Sequence, residues 1–345
     1  MDCIKMHEEL STLLGYPLKI GKNIIKNRLA FAPMTMLGNV AFRELLASFG
    51  GYGLLFSEMC NAKRLPTENP RASGYFRWRE EEKSHLVFQI FGSEPYTMAS
   101  AAQRIENEGF FGVDINFGCS ANSICRQNCG AAILKDPDLA VKIISSVKKA
   151  VSFPLFVKFR TGWKDDPMIP VTLAKRFEDA GADALTFHPR VSPDRRARLP
   201  KWEYIGLVKN AVSIPVFGNG NIFDAKDCLT MMKTTGCDGV AIGRLAVAKP
   251  WIFAEFADRF IPDTEIYLNS ALKLTELIEK HYDHHMGLRR FKKFALYFSG
   301  NFHFGNTLYK RINNAGCLDE IREIVKDFFK IPDTPYLRPN MNFLV

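Results

Sequence analysis

The chain has 345 residues, 47% of them hydrophobic, with a formal net charge of +9 and an isoelectric point near 9.1. That composition supports a sizeable core, and the length suits one large domain plus a smaller one. No apolar run is long enough to span a bilayer, and the opening MDCIKMHEEL has no signal-peptide core, which excludes a membrane-spanning or exported class and leaves a soluble cytoplasmic protein as the expectation.

The eight cysteines are scattered, which fits reduced thiols better than a disulfide framework. Cys119, Cys125 and Cys129 lie close together, but their spacing matches no zinc or iron–sulfur pattern, so no metal is expected. The basic balance favours an acidic partner such as nucleic acid, and the position of the charges matters more than their total.

In chain order, a lead-in over 1–28 is followed by β-rich runs at 29–34, 53–59, 86–92, 113–119, 155–160, 184–190, 215–222 and 239–244. Helical spacing predicts helices over 95–109, 137–150, 171–181, 201–212 and 224–235, with Pro95, Pro137 and Asp224 near starts and Gly109, Gly181 and Gly236 near ends. Val40–Gly50 reads as a short helix, and 62–83 as mostly irregular. Strands alternating with helices in this way predict a (β/α)8 TIM barrel. A doubly wound sheet is the alternative, but no glycine-rich dinucleotide turn follows the first strand. From 261 the pattern is helical, with elements expected over 266–286, 288–299, 304–313 and 318–329. The expected division is a barrel over 1–260, a helical domain over 261–335 and a tail over 336–345.

The fourth run carries the first chemistry. Val113, Ile115 and Phe117 alternate with Asp114, Asn116 and Gly118, and the strand stops at Gly118-Cys119-Ser120. Cys119 thus sits just past the carboxyl end of a strand, where barrel enzymes place their chemistry. A thiol there can be a nucleophile or a proton donor; the plainer reading is a small buried filler. Other strand ends are polar too: Pro33-Met34, Gln89, Lys158 with Arg160, His188 with Arg190, Asn219-Gly220 and Gly243-Arg244. Lys158 lies inside the apolar LFVKF and needs an anionic or hydrogen-bonding partner there. Loops after the seventh and eighth strands often hold a phosphate, and Arg244 can pair with one.

Between His284 and Leu318 lie Arg289, Arg290, Lys292, Lys293, Lys310 and Arg311 without a single acid, interleaved with aromatics. An ordinary bundle with a solvated charged face is the plain reading. The alternative is a cationic ridge for phosphates, because Arg289 and Lys293 are four residues apart and share a helix face. His281, His284 and His285 have a spacing that could bind metal, but no further ligand is evident.

Taken in this order, the segments APM (32–34), SEM (57–59), QIFGSEP (89–95), DINFGC (114–119), PLFVKFRTGW (154–163), EDAGADALTFHPR (178–190), SIPVFGNGNI (213–222) and GCDGVAIGRLAVAKPWIF (236–253) resemble the dihydrouridine synthases, of the bacterial type. RRFKKFALYFSGNF (289–302) is similar to that family's tRNA-binding domain. The resemblance implies FMN at the C-terminal face of the barrel and NADPH as reductant. Pro33 and Met34 would back the flavin ring, Gln89 and Lys158 contact its polar edge with His188 beside it, and Asn219, Gly220, Gly243 and Arg244 hold its phosphate. Cys119 matches the family's catalytic cysteine, giving a proton to uracil C5 while FMN N5 delivers hydride to C6. Asn116 and Arg160 match uridine-facing positions. The same reading places the flavin site entirely in the barrel and bridges RNA between a basic loop (Arg190, Arg195, Arg196, Arg198, Lys201) and the helical ridge at Arg289 and Lys293. It implies a tRNA partner and a monomer. The chain departs from the family pattern at Gly38-Asn39, Ser120 and Pro189, and lacks a lysine within 121–124, so the altered residues fall in the substrate loops. A small-molecule ene-reductase and a noncatalytic RNA-binding flavoprotein remain as alternatives.

Overall fold

The structure is a computed structural model that describes residues 3–194, 198–331 and 334–340. Eight parallel strands close into a ring: β1 Leu29–Phe31, β2 Leu54–Phe56, β3 Leu86–Phe91, β4 Gly112–Phe117, β5 Leu155–Gly162, β6 Ala184–Val191, β7 Val216–Asn219 and β8 Gly239–Ile242, with β8 pairing back onto β1. This is the expected TIM barrel, and every strand falls within or beside its predicted run.

The ring is built by alternation along each strand. Leu29 and Phe31, Phe88 and Ile90, Val113, Ile115 and Phe117, Val157 and Phe159, and Leu185 and Phe187 pack outward into the large core under the helices. The intervening set, Ala30, Leu54, Val87, Phe156, Ala184, Phe217 and Ala241, forms a second cluster inside the barrel. Continuing that inner set by steps of two toward the strand ends gives Gln89, Asp114 and Asn116, Lys158 and Arg160, His188 and Arg190, Asn219, and Gly243. On β3 to β7 this inner face is apolar low in the barrel and polar at its mouth.

The connecting helices are α1 Val40–Phe49, α2 Pro95–Asn107, α3 Pro137–Ala150, α4 Met168–Asp179, α5 Glu203–Ala211, α6 Ala225–Thr235, the short α7 Arg244–Ala248 that follows β8, and α8 Ile252–Ala257. The starts of α1, α3 and α6 are capped by side chains: Asn39 accepts from Phe42 N, Asp136 from Leu139 N and Asp224 from Asp227 N. Gly236 ends α6 in the left-handed region at φ 65°. Between β2 and β3, 3-10 turns at Leu65–Thr67 and Glu80–His85 replace a barrel helix.

The lead-in is structured. A helix over Cys3–Leu14 precedes an antiparallel hairpin, Leu18–Ile20 with Asn23–Ile25. Leu18, Ile20 and Ile25 join the inner cluster and plug the amino-terminal end of the barrel. Strands of three residues are too short to show a period in sequence.

The C-terminal helices are α9 Ile266–His281, α10 His284–Phe298, α11 Gly305–Asn314 and α12 Leu318–Phe328. The break between the first two comes earlier than predicted. Tyr282 is extended (φ −137°, ψ 152°), and Asp283 caps α10 by accepting from Met286 N at 2.8 Å. Gly287, where the prediction places the break, lies inside α10, and a Cβ there would meet Ile278 Cγ2 at 2.7 Å. Phe294 of α10 packs on Phe42 of α1 with ring centres 6.0 Å apart, so the helical core is continuous with that of the barrel.

Candidate active site

The inward-facing polar residues meet at the carboxyl ends of the strands. A cleft of about 250 Å³ there is lined by Pro33, Met34, Lys158, Arg160 and His188, and by the stretches after β7 and β8 that include Asn219, Gly220, Gly243 and Arg244. Sequence reasoning named all nine. The glycines are demanded by close approach. A Cβ on Gly220, whose φ is 122°, would lie 2.8 Å from His188 Cδ2, and one on Gly243 would lie 2.9 Å from Met34 Sδ. The Asn219 amide donates to Ala241 O at 2.7 Å and ties β7 to β8.

Sequence reasoning missed two residues. Asn221 has φ 55°, and its Oδ1 accepts from both Arg190 Nη2 (3.0 Å) and Arg244 Nη2 (2.8 Å), so it sets the direction of two guanidinium groups. Its signal was present: Asn tolerates the left-handed region, and Gly-Asn-Gly-Asn is a turn sequence. The other is Tyr297 of α10, which lines the cleft from outside the barrel. The cleft is thus not built from the barrel alone. An aromatic at a core spacing in an aromatic-rich helix carries no mark of that role.

Beside the cleft runs a hydrogen-bond chain that holds the backbone turn carrying Cys119. Asp114 Oδ2 accepts from Gln89 Nε2 at 2.6 Å, and Gln89 Oε1 accepts from Asn116 Nδ2 at 2.8 Å. Asn116 Oδ1 then accepts from the backbone N–H groups of Gly118 (3.0 Å) and Cys119 (2.9 Å). Because the N–H groups of Gly118 and Cys119 can only donate, they fix the sense of both amides back to Asp114, and the turn carrying Cys119 is held by its own strand. Asn116, expected to face uridine, spends its carbonyl on this turn. The Arg160 Nε–H donates to Gly118 O at 2.8 Å. Gly130 closes the loop from behind: its φ is 61°, and a Cβ there would lie 2.6 Å from Cys119 O.

Electrostatics distinguish the thiols and the bases. Burial pushes the Cys125 and Cys129 thiols up. Cys125 donates its S–H to Cys119 O, and Cys129 to Gln127 O. Burial lowers Lys158, with Arg160 adding to the effect and Asp114 opposing it. Burial also raises Asp114. Arg160 is depressed by burial and by neighbouring Arg190. His188 is held well below its ordinary range, first by burial and then by Arg160 and Lys158, so it is a neutral imidazole at neutral pH.

In the helical part, Arg289 is exposed and Lys293 partly so, and the Lys293 ammonium sits 6.0 Å from the centre of the Tyr297 ring. Arg290 is not part of an exposed ridge. It is 4% exposed, pairs with Glu58 Oε1 at 2.8 Å, donates to Met36 O and Gly74 O, and lies over Tyr282. Of the basic loop after β6, Arg195 and Arg196 lie outside the described residues, while Lys201 pairs with Asp165 at 2.7 Å. The three histidines do not converge: His281 Nε2 contacts Glu44 Oε2 at 2.6 Å, and His284 contacts Gly316 O. Among the described residues no cluster of three or more His, Cys, Asp or Glu could hold a metal ion, and no helix is long and apolar enough to cross a membrane.

A closed parallel barrel with a cationic cleft and a cysteine at its carboxyl face defines an enzyme of the TIM-barrel class. Among solved structures, the old yellow enzyme from Trypanosoma cruzi superposes with a TM-score of 0.53 at 13% identity, covering 73% of this chain and 93% of that one, a likeness of fold. Residues 30–327 match the family model described as dihydrouridine synthase (Dus). The tRNA-dihydrouridine synthase B of Pseudomonas aeruginosa is 33% identical over 319 residues, 90% of this chain and 96% of that protein. A probable tRNA-dihydrouridine synthase of Rickettsia prowazekii is 32% identical over 266 residues, 77% of this chain and 81% of that protein. The chain belongs to the dihydrouridine synthase family and is an oxidoreductase of that kind.

Proposed function

We propose that the protein reduces the C5=C6 bond of a uridine in tRNA, with FMN in the cleft, NADPH as reductant and Cys119 as the proton donor to C5. The observation that carries this reading is the convergence of Lys158, Arg160 and Arg244 on a cleft with a neutral imidazole, with Arg190 reaching its edge through Asn221. Such a site suits an anionic, phosphorylated ligand. The residues fit the cofactor: Arg160 Nη1 is buried without a hydrogen-bond partner, and Gly220 and Gly243 line the cleft with backbone alone. Pro33 and Met34 would back the flavin ring, Gln89, Lys158 and His188 would meet its polar edge, and Asn219, Gly220, Gly243 and Arg244 would hold its phosphate. FMN bound there would supply the hydride.

The chain supplies the rest. A lysine at the edge of the flavin offsets negative charge on the reduced ring. Arg160, braced on Gly118 O, orients the base, which must leave its stack to lie between the flavin and the Cys119 turn. Cys119, on a turn fixed by Asn116, gives its thiol proton to C5, and the thiolate recovers a proton from solvent. The test is direct. Unmodified tRNA incubated with the protein, FMN and NADPH should gain dihydrouridine, and RNA that gains none while NADPH is consumed on a free enone would favour the small-molecule reading.

Two further results are expected. Arg244→Ala should weaken FMN binding by about 1.5–3 kcal/mol, the worth of a hydrogen bond to a charged group. Equilibrium titration of the apoprotein measures this, and an unchanged affinity would place the phosphate elsewhere. Reversing Arg289 and Lys293 to Glu should weaken tRNA binding and flatten its salt dependence, because fewer counterions are released. Equal affinities and slopes across a salt series would remove the helical ridge from the RNA interface.

A further inference from the structure

We infer that Tyr297 is a positioning residue of the cofactor cleft, and that α10 walls the cleft from the side of β8, β1 and β2. This rests on the reading of the cleft as an FMN site. The helix is fastened to the loops that follow these three neighbouring strands. Midway along it, Arg290 pairs with Glu58, which follows β2, and donates to Met36 O in the loop after β1. Just past its end, Asn301 is fully buried and donates through Nδ2 to Ala248 O at 2.8 Å, at the end of the helix that begins with Arg244. Between these fastenings Tyr297 is 5% exposed, and among the described residues it is the only lining residue of the cleft that comes from beyond the barrel.

The ring is held there. Phe294 and Phe298, on either side of it in sequence, stack on each other at 4.9 Å and are buried in the core, so α10 cannot turn Tyr297 outward without exposing them. Lys293 approaches the same ring at 6.0 Å. A rigid aromatic wall of this kind excludes water from a bound planar ligand and limits its escape. It also links two events by reciprocity: a ligand that touches Tyr297 stabilises the docked helices, and the docked helices retain the ligand.

The experiment titrates FMN into apoprotein and follows flavin fluorescence, with melting temperatures recorded for apo and loaded forms of wild type, Tyr297→Phe, Tyr297→Leu and Tyr297→Ala. Tyr297→Phe keeps the ring and should bind within about threefold of wild type, whereas Tyr297→Leu and Tyr297→Ala should raise Kd about tenfold, equivalent to about 1.4 kcal/mol. The rise in melting temperature on adding FMN should shrink in parallel. If Tyr297→Ala does not fold, Tyr297→Leu decides. A lower apo melting temperature with an unchanged Kd for the folded protein would make Tyr297 merely structural and overturn the inference. Wild type that takes up no FMN would instead refute the FMN reading beneath it.

Discussion

Cys119→Ala should slow dihydrouridine formation by about 10²–10⁴-fold, the usual worth of a positioned general acid. Reduction of the bound flavin by NADPH should be nearly unchanged, because Cys119 does not line the cleft. The loop offers two other thiols, and geometry separates them. Cys119 is on the turn that Asn116 holds through two backbone N–H groups, whereas Cys125 and Cys129 are pushed up by burial and donate to backbone carbonyls. Cys125→Ala and Cys129→Ala should therefore lose far less activity. Single-turnover measurements on prereduced enzyme isolate the step. If either of those variants abolished product while Cys119→Ala did not, the wrong thiol has been assigned.

Arg290→Ala should destabilise the protein by about 3–5 kcal/mol at neutral pH, the cost of stranding one member of a buried ion pair. Glu58 is 1% exposed and its carboxyl is already raised, chiefly by burial, with the guanidinium of Arg290 pulling the other way. Removing Arg290 drives Glu58 further up. A carboxyl whose folded pKa exceeds its unfolded value binds more protons in the folded state, so its contribution to stability is present at acid pH and is lost as pH rises through the folded pKa. The deficit of Arg290→Ala against wild type should accordingly be largest above the pKa of Glu58 in the variant and narrow as pH falls below it. Denaturant unfolding at neutral and acid pH measures both features. A deficit below about 1 kcal/mol would mean the pair behaves as a solvated surface bridge.

Much of the site was legible because strand alternation is local. Once Phe156 and Ala184 point into the barrel, Lys158, Arg160, His188 and Arg190 must follow on the same face, and the sequence shows all of them. Long-range pairing is what sequence hides. Arg289, Arg290, Lys292 and Lys293 are alike as a run of cations; only Glu58, 232 residues away, makes Arg290 a buried fastening and not a ridge residue. Tyr297 was hidden for the same reason, since nothing in α10 says which aromatic meets the cleft and which meets Phe42. Gly287 misled in the opposite sense. A glycine in a helical pattern reads as a stop, but here it makes room for Ile278, and Asp283 sets the boundary by capping. The hairpin plug escaped because its strands are shorter than one readable period.

Reduction of uridine in tRNA through Cys119, as proposed, leaves a mark on cellular tRNA. The most direct measurement maps dihydrouridine, position by position, in tRNA from a strain lacking the protein and from the same strain complemented with wild type or Cys119→Ala. The account predicts that at least one dihydrouridine disappears on deletion, returns with wild type and stays absent or sharply reduced with Cys119→Ala. An unchanged dihydrouridine map on deletion, or full restoration by Cys119→Ala, would contradict it.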